Sequence, residues 1–95
     1  MAKRSIIKSA KSGCFFCGSH KDLERHHCLH GPNRKLAEED GLVVHLCRLH
    51  HIELHFGAEG RKLDEALKRV AQYAWMDKYG KTVEEWRERY GKNYL

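Results

Sequence analysis

Four residues of the kind that bind metals occur as two pairs with the same spacing. Cys14 and Cys17 enclose two residues in "CFFC", and Cys47 and His50 enclose two residues in "CRLH". Thiolate and imidazole ligands in pairs of this spacing are typical of tetrahedral structural zinc sites. The pairs therefore predict a Cys3His zinc site that joins distant parts of the chain. The alternative is a set of buried free thiols.

The remaining cysteine, Cys28, is an alternative fourth ligand in place of His50. It lies in a strand-like run where an aliphatic residue would also fit. A small buried cysteine behaves as a hydrophobic residue. We therefore predict that Cys28 is part of the core.

Histidines are concentrated in two segments, "DLERHHCLH" at 22–30 and "LCRLHHIELHFG" further along the chain. In a helix, His51 and His55 lie four positions apart, so their imidazoles point the same way and can bind one ion. The direction midway between Cys47 and His50 lies about a quarter turn around the helix axis from that of His51 and His55. One short helix can therefore supply ligands to two metal ions. The alternative for the pair taken alone is two surface histidines on a solvated helix.

Hydrophobic patterning predicts the elements that carry these ligands. Before the histidine-rich helix the predicted order is strand, loop, strand, at residues 22–29, 31–41 and 42–46. Neighbouring side chains of a strand point to opposite faces, so His26 and His27 can serve one site only if the first strand ends or bends there. The turn at Gly31 and Pro32 favours an early exit, and we predict such a bend.

Two helices are predicted in the C-terminal part of the chain. Apolar residues recur at helical spacing from about Arg61 to Tyr79, where Gly80 closes the helix. Thr82 with Glu85 three residues later predicts a capping box that opens a second helix. Four aromatic residues are expected to pack these helices onto the core: Trp75, Tyr79, Trp86 and Tyr90. The alternative is that their rings stack on the bases of single-stranded nucleic acid.

Composition limits the class of protein. The chain has 95 residues, a net charge of +5 and no apolar stretch long enough to cross a membrane, which favours one small domain with an anionic partner such as nucleic acid. No secretory signal is expected at the start, so an intracellular, cytoplasmic protein is predicted. The predicted regions are a basic flexible arm, a metal-binding core and C-terminal helices, at residues 1–12, 13–57 and 61–95.

The order of elements and ligands resembles the ββα-metal motif of HNH endonucleases, the His-Me finger superfamily. "ERHH" at 24–27 resembles the Glu-x-His-His of colicin-type nuclease domains, and "HHIELH" at 50–55 resembles their closing His-x3-His helix. "GPNRKLAEEDG" and "YGKNYL" are similar to segments of small HNH proteins of phages and prophages. One departure is Leu42, which stands where many HNH proteins carry asparagine; Asn33 is an alternative for that bracing role.

The resemblance implies an α+β fold with a small ββα-metal core, a zinc knuckle and C-terminal helices. It also implies a metal-dependent endonuclease that hydrolyses phosphodiester bonds in DNA. His26, His51 and His55 would bind one catalytic divalent cation (Mg²⁺, Mn²⁺, Ni²⁺ or Zn²⁺), beside the structural Zn²⁺. His27 would be the general base, and Glu24 would orient a histidine by accepting its second ring N–H.

DNA is the expected partner, and four basic side chains are candidates for phosphate contacts: Arg25, Arg34, Lys35 and Arg48. For each, an ordinary solvated charge is the alternative. A second copy of the chain and a phage protein are both candidates for a protein partner. If the chain is encoded by a phage or prophage, the expected location is the cytoplasm of the bacterial host. The alternative function is a non-catalytic zinc-bound nucleic-acid-binding module, or an accessory component of a phage packaging or recombination machine.

Overall fold

The computed structural model describes residues 4–7 and 13–95. Within these residues the chain forms a small α+β fold with one antiparallel sheet of two strands and four helices. In chain order the elements are β1 (Leu23–His27), α1 (Asn33–Asp40), β2 (Val43–Cys47), α2 (Arg48–Phe56), α3 (Gly60–Tyr79) and α4 (Val83–Tyr90).

The two strands form a hairpin in which His26 pairs with Val44 and His27 with Val43. Both predicted strands are present, although the first is shorter than expected because it ends at His27. The early exit predicted for this strand is therefore confirmed. It does not bring the two histidines together, because both still lie inside the strand and alternate between its faces.

The connection between the strands differs from the prediction. Residues 31–41 were expected to be a loop, and the structure instead places α1 there. Asn33–Asp40 contains no glycine and no β-branched residue, so nothing in it resists helix formation. Gly41 then ends the helix in the left-handed conformation, at φ 77°. The segment lacks a strong apolar periodicity, which is why patterning missed it.

Helix α2 follows β2 without a connecting loop and packs against both strands and α3. Its Leu54 points into the core, where Leu42, Val44 and Leu46 are also buried. The helix therefore has one face fixed on the hairpin. Along this contact, candidate metal ligands of the strands, His26 and Cys47, lie close to those of α2.

The predicted C-terminal helices are both present, and the capping box of Thr82 and Glu85 is confirmed. Trp75, Trp86 and Tyr90 are buried, with the Trp75 and Trp86 ring centroids 5.5 Å apart. Packing of α3 and α4 is thus the role of these aromatic rings, as predicted. None of the helices in the described residues has the length and hydropathy needed to span a bilayer.

Part of the predicted basic arm is packed onto the fold. Ile7 is buried, and the backbone N–H of Ile6 donates a hydrogen bond to the carbonyl of Gly41 at 2.9 Å. These two contacts join residues 4–7 to the end of α1, and the flexibility of the arm stays a prediction. The rest of the predicted arm lies outside the described residues.

Candidate metal centres

The predicted zinc ligands converge at one place. Cys14 and Cys17 lie in a turn, Cys47 ends β2 and His50 lies in the first turn of α2. The Cys17 and Cys47 sulfurs are 3.8 Å apart, and the Cys47 sulfur is 3.3 Å from His50 Nδ1. In a tetrahedron with Zn–S bonds of about 2.3 Å, neighbouring sulfurs lie about 3.8 Å apart. The four side chains therefore fit a zinc ion.

Backbone polarity supports a thiolate at Cys14. Burial opposes ionisation of Cys14, but hydrogen bonds from the backbone of Cys47, Cys17 and Phe16 outweigh it and lower the pKa of Cys14 to about 6. Cys28 is the opposite case, because complete burial raises the pKa of its thiol to about 12. Cys28 lies in the core cluster and outside the Cys3His group, in agreement with its predicted packing role.

A second centre is formed by imidazoles alone. His26 projects from β1 between His51 and His55 of α2, with ring centroids 5.2 Å and 5.8 Å away. His51 Nε2 and His55 Nε2 are 3.2 Å apart. We call these three residues the imidazole cluster. Its ligand atoms all lie within 4.8 Å of one another, so one divalent cation can contact all three.

The buried ring nitrogen of His26 is a second observation that favours ion binding by the imidazole cluster. His26 is only 4% exposed, and its Nε2 is buried with no hydrogen-bond partner among the described residues. An unpaired buried polar nitrogen costs free energy unless a ligand satisfies it. The donor set, three imidazole nitrogens, is one that Zn²⁺, Ni²⁺ and Cu²⁺ prefer. The residues present therefore fit a bound cation.

The protonation states also favour a cation. Burial is the largest cause that lowers the pKa of His26 from 6.5 to about 3, and the nearby His30, His51 and His55 contribute to the same shift. Burial likewise lowers the pKa of His55. Neutral imidazoles are the metal-binding form.

Glu24 fixes the orientation of one ligand. Its Oε1 lies 2.7 Å from His51 Nδ1, so the Nδ1–H donates to the carboxylate and Nε2 is free to bind an ion. Glu24 and His26 are two positions apart in β1 and share the strand face that α2 covers. The strand thus supplies both a ligand and the group that orients another ligand.

His27 lies on the opposite face of β1, towards α1. Its Nε2 is 2.8 Å from Glu38 Oε1, and its Nδ1 accepts a hydrogen bond from Arg34 Nε at 3.4 Å. Both ring nitrogens are therefore engaged by α1. The structure does not bring His27 into the imidazole cluster, although sequence order places it next to His26.

The structure places a different histidine beside the imidazole cluster. His30 belongs to neither predicted metal site, but its ring centroid lies 5.3 Å from that of His26, and its Nε2 is 2.6 Å from Asp64 Oδ1. Asp64 belongs to α3, and its other oxygen is 2.8 Å from Lys68 Nζ. Although burial opposes it, hydrogen bonds from His30 and Lys68 lower the pKa of Asp64 to about 2. No local sequence signal links two residues 34 positions apart.

The predicted phosphate-binding side chains are spread over three elements. Arg25 of β1 is 2.7 Å from Glu38, whereas Lys35 of α1 and Arg48 of α2 are exposed. Arg34 of α1 contacts His27. Arg25 and Arg34 therefore both lie beside the His27–Glu38 pair.

The structure also has a cationic cleft that the sequence did not reveal, and Asp64 is one of its lining residues. It has a volume of about 480 Å³ and four basic lining residues, against the acidic Asp64 and Glu65. The basic residues are Arg61, Lys68, Arg69 and Lys92. Because they come from α3 and the C-terminal segment, only the packing of these parts assembles the cleft.

Asn33 has a bracing contact but lies outside the imidazole cluster. Its side-chain amide donates a hydrogen bond to the Tyr90 carbonyl at 2.9 Å, which ties the start of α1 to the end of α4.

Comparison of the chain with protein-family models, with curated proteins and with solved structures finds no match.

Proposed function

We propose that this protein is a metal-dependent endonuclease of the HNH type that hydrolyses phosphodiester bonds in DNA. The observation that carries the proposal is the unpartnered, buried Nε2 of His26 facing two imidazoles of α2. The support is the combination of this ion-binding cluster with a scaffold of two antiparallel strands and helix α2, and with the cationic cleft that Asp64 lines. The Cys3His group would hold a separate structural Zn²⁺.

The imidazole cluster has the openness that catalysis needs. His26 is buried, whereas His51 is partly exposed and His55 is exposed, so an ion there has the protein on one side and solvent on the other. Three protein ligands leave coordination positions free, in contrast to the four ligands of the Cys3His group. When bound, the cation would polarise the phosphate and stabilise charge on the leaving oxygen.

An anionic substrate is supported by charge. The chain carries a net charge of +5, and the cationic cleft begins at Asp64, which contacts His30 at the edge of the imidazole cluster. Lysine and arginine side chains attract the DNA backbone without regard to sequence. We therefore expect cutting or nicking with low sequence specificity.

Hydrolysis also needs a group that accepts a proton from the attacking water. The resemblance to HNH endonucleases assigns this role to His27. Its ring nitrogens contact Glu38 and Arg34 on the other face of β1, which does not favour the assignment. A base on the side of the imidazole cluster is better supported.

The test is plasmid nicking with matched histidine variants. We expect the parent protein to convert supercoiled plasmid to the nicked form with Mg²⁺, Mn²⁺, Ni²⁺ or Zn²⁺, and His51→Ala to lose this activity while keeping the Cys3His zinc. His45→Ala is the control, because His45 is exposed on β2 and lies outside both metal groups.

Two results would contradict the nuclease. One is the absence of nicking with every ion, and the other is equal nicking by His51→Ala and the parent. Retarded migration of DNA in a gel, without cutting and without dependence on His51, would support the nucleic-acid-binding module instead.

A further inference from the structure

His30 lies at the open edge of the imidazole cluster. Its ring centroid is 5.3 Å from that of His26 and 6.1 Å from that of His55, close to the distances within the cluster itself. Its side chain is 40% exposed, whereas His26 is almost completely buried. A ring in this position lies beside the ion-binding histidines and is accessible to water from the solvent.

Asp64 fixes which nitrogen of His30 can react. The 2.6 Å contact from Asp64 Oδ1 to His30 Nε2 requires the proton to be on Nε2, since the ionised carboxylate only accepts. His30 Nδ1 is then the nitrogen with a free lone pair. Lys68, at 2.8 Å from the second oxygen, holds the carboxylate in place.

We propose that His30 is the general base of the endonuclease and that Asp64 is the residue that positions it. The inference rests on the proposed function and names the base for the same site. The oxygen of a water molecule forms a bond to phosphorus while its proton passes to His30 Nδ1. The bond from phosphorus to O3′ breaks, and the departing oxygen takes a proton from solvent.

His30 lies outside the set of ligand atoms formed by His26, His51 and His55, which favours a base beside the ion over a fourth ligand of the imidazole cluster. His26, His30 and Asp64 also have ligand atoms within 4.8 Å of one another, so the Ni²⁺ affinity of His30→Ala tests the ligand alternative directly. A base needs to lie one water molecule away from the ion rather than in contact with it. The charged or titratable groups around His30 are His26 from β1, His55 from α2, and Asp64 with Lys68 from α3.

The experiment separates catalysis from ion binding. Nicking rates at saturating plasmid and ion, and Ni²⁺ affinity, are measured for the parent, His30→Ala, Asp64→Asn and the control His45→Ala. We expect His30→Ala to lower the rate about 100- to 10,000-fold and to leave Ni²⁺ affinity within about threefold. Asp64→Asn is expected to lower the rate about 10- to 100-fold with KM unchanged. His45→Ala should match the parent.

Each contrary result has a definite meaning. If His30→Ala nicks DNA like the parent, or if His27→Ala abolishes nicking while His30→Ala does not, the inference fails and the nuclease stands. If His30→Ala loses Ni²⁺ binding at the imidazole cluster, His30 is a ligand and the inference fails. A parent that cuts nothing overturns both proposals. Zinc content of the Cys3His site checks folding, and His30→Gln replaces the alanine variant if that content falls.

Discussion

At the scale of single residues, two carboxylates orient two imidazoles on different sides of the same cluster. Glu24 accepts from His51 Nδ1, and Asp64 accepts from His30 Nε2. In each pair the carboxylate selects one tautomer, so the opposite ring nitrogen is free to bind an ion or a proton. The two pairs therefore leave different ring nitrogens unprotonated, Nε2 in His51 and Nδ1 in His30.

The contact from Glu24 to His51 predicts a graded loss of ion affinity. Glu24→Gln keeps the size of the side chain but replaces a carboxylate with an amide, which accepts the Nδ1–H less strongly. We expect the affinity of the imidazole cluster for Ni²⁺ to fall about 10- to 100-fold, with two metal sites per chain retained. Titration calorimetry measures both quantities. The control Glu88→Gln changes an exposed side chain of α4 and should leave the affinity and the number of sites unaltered. An unchanged affinity for Glu24→Gln would show that Glu24 does not orient His51.

At the scale of elements, β1 separates two sets of contacts by its pleat. Glu24 and His26 face α2, whereas Arg25 and His27 face α1, where both approach Glu38. The side of the strand towards α2 therefore holds the imidazole cluster, and the other side anchors α1. Helix α1 is fixed a second time at its end, because Arg89 and Tyr90 of α4 both bind the Asp40 carboxylate.

The end of α1 gives a stability prediction with a close internal control. Gly41 and Gly80 both end helices at positive φ, so an alanine at either position is strained by about 1 kcal/mol. A Cβ at Gly41 would also lie 2.6 Å from the Arg4 carbonyl oxygen, whereas at Gly80 it would meet nothing within 4 Å. We expect Gly41→Ala to lower the free energy of unfolding clearly more than Gly80→Ala. Equal losses in urea unfolding would argue against the packing of residues 4–7 on this helix end.

At the scale of the whole molecule, the Cys3His group connects parts that the hydrophobic core alone holds weakly. It joins the turn of Cys14 and Cys17 to the end of β2 and the start of α2. A two-stranded hairpin is marginal without support, and a chain of 95 residues has a modest core. Zinc at this group would therefore stabilise the scaffold on which the imidazole cluster depends.

Loss of the zinc ligands should affect both metal centres. We expect Cys17→Ala to remove zinc from the Cys3His group, lower the unfolding temperature strongly and weaken Ni²⁺ binding by the imidazole cluster, because α2 carries ligands of both. Cys28→Ala is the comparison: it removes a completely buried thiol from the core and should cost about 1 to 2 kcal/mol while zinc content stays the same. Elemental analysis and thermal unfolding measure these effects. Normal zinc content in Cys17→Ala would show that Cys17 is not a ligand.

Local spacing was enough to predict the parts of this protein whose geometry is set within a few residues. The pairs Cys14/Cys17 and Cys47/His50, the helical pair His51/His55 and the capping box at Thr82 all depend on contacts between near neighbours, and the structure brings each set together as expected. The two strands could be predicted for the same reason, since alternation along a strand is local.

Only the tertiary structure decided which side chains surround the imidazole cluster. The pleat of β1 directs His27 to α1, and the packing of α3 on α2 places Asp64 beside His30. Helix α1 was not predicted because its apolar pattern is weak. Its contacts with β1 and α4, which stabilise it, join residues that are distant in the sequence. Such pairings join residues tens of positions apart, so they depend on how the helices pack and leave no trace in local spacing.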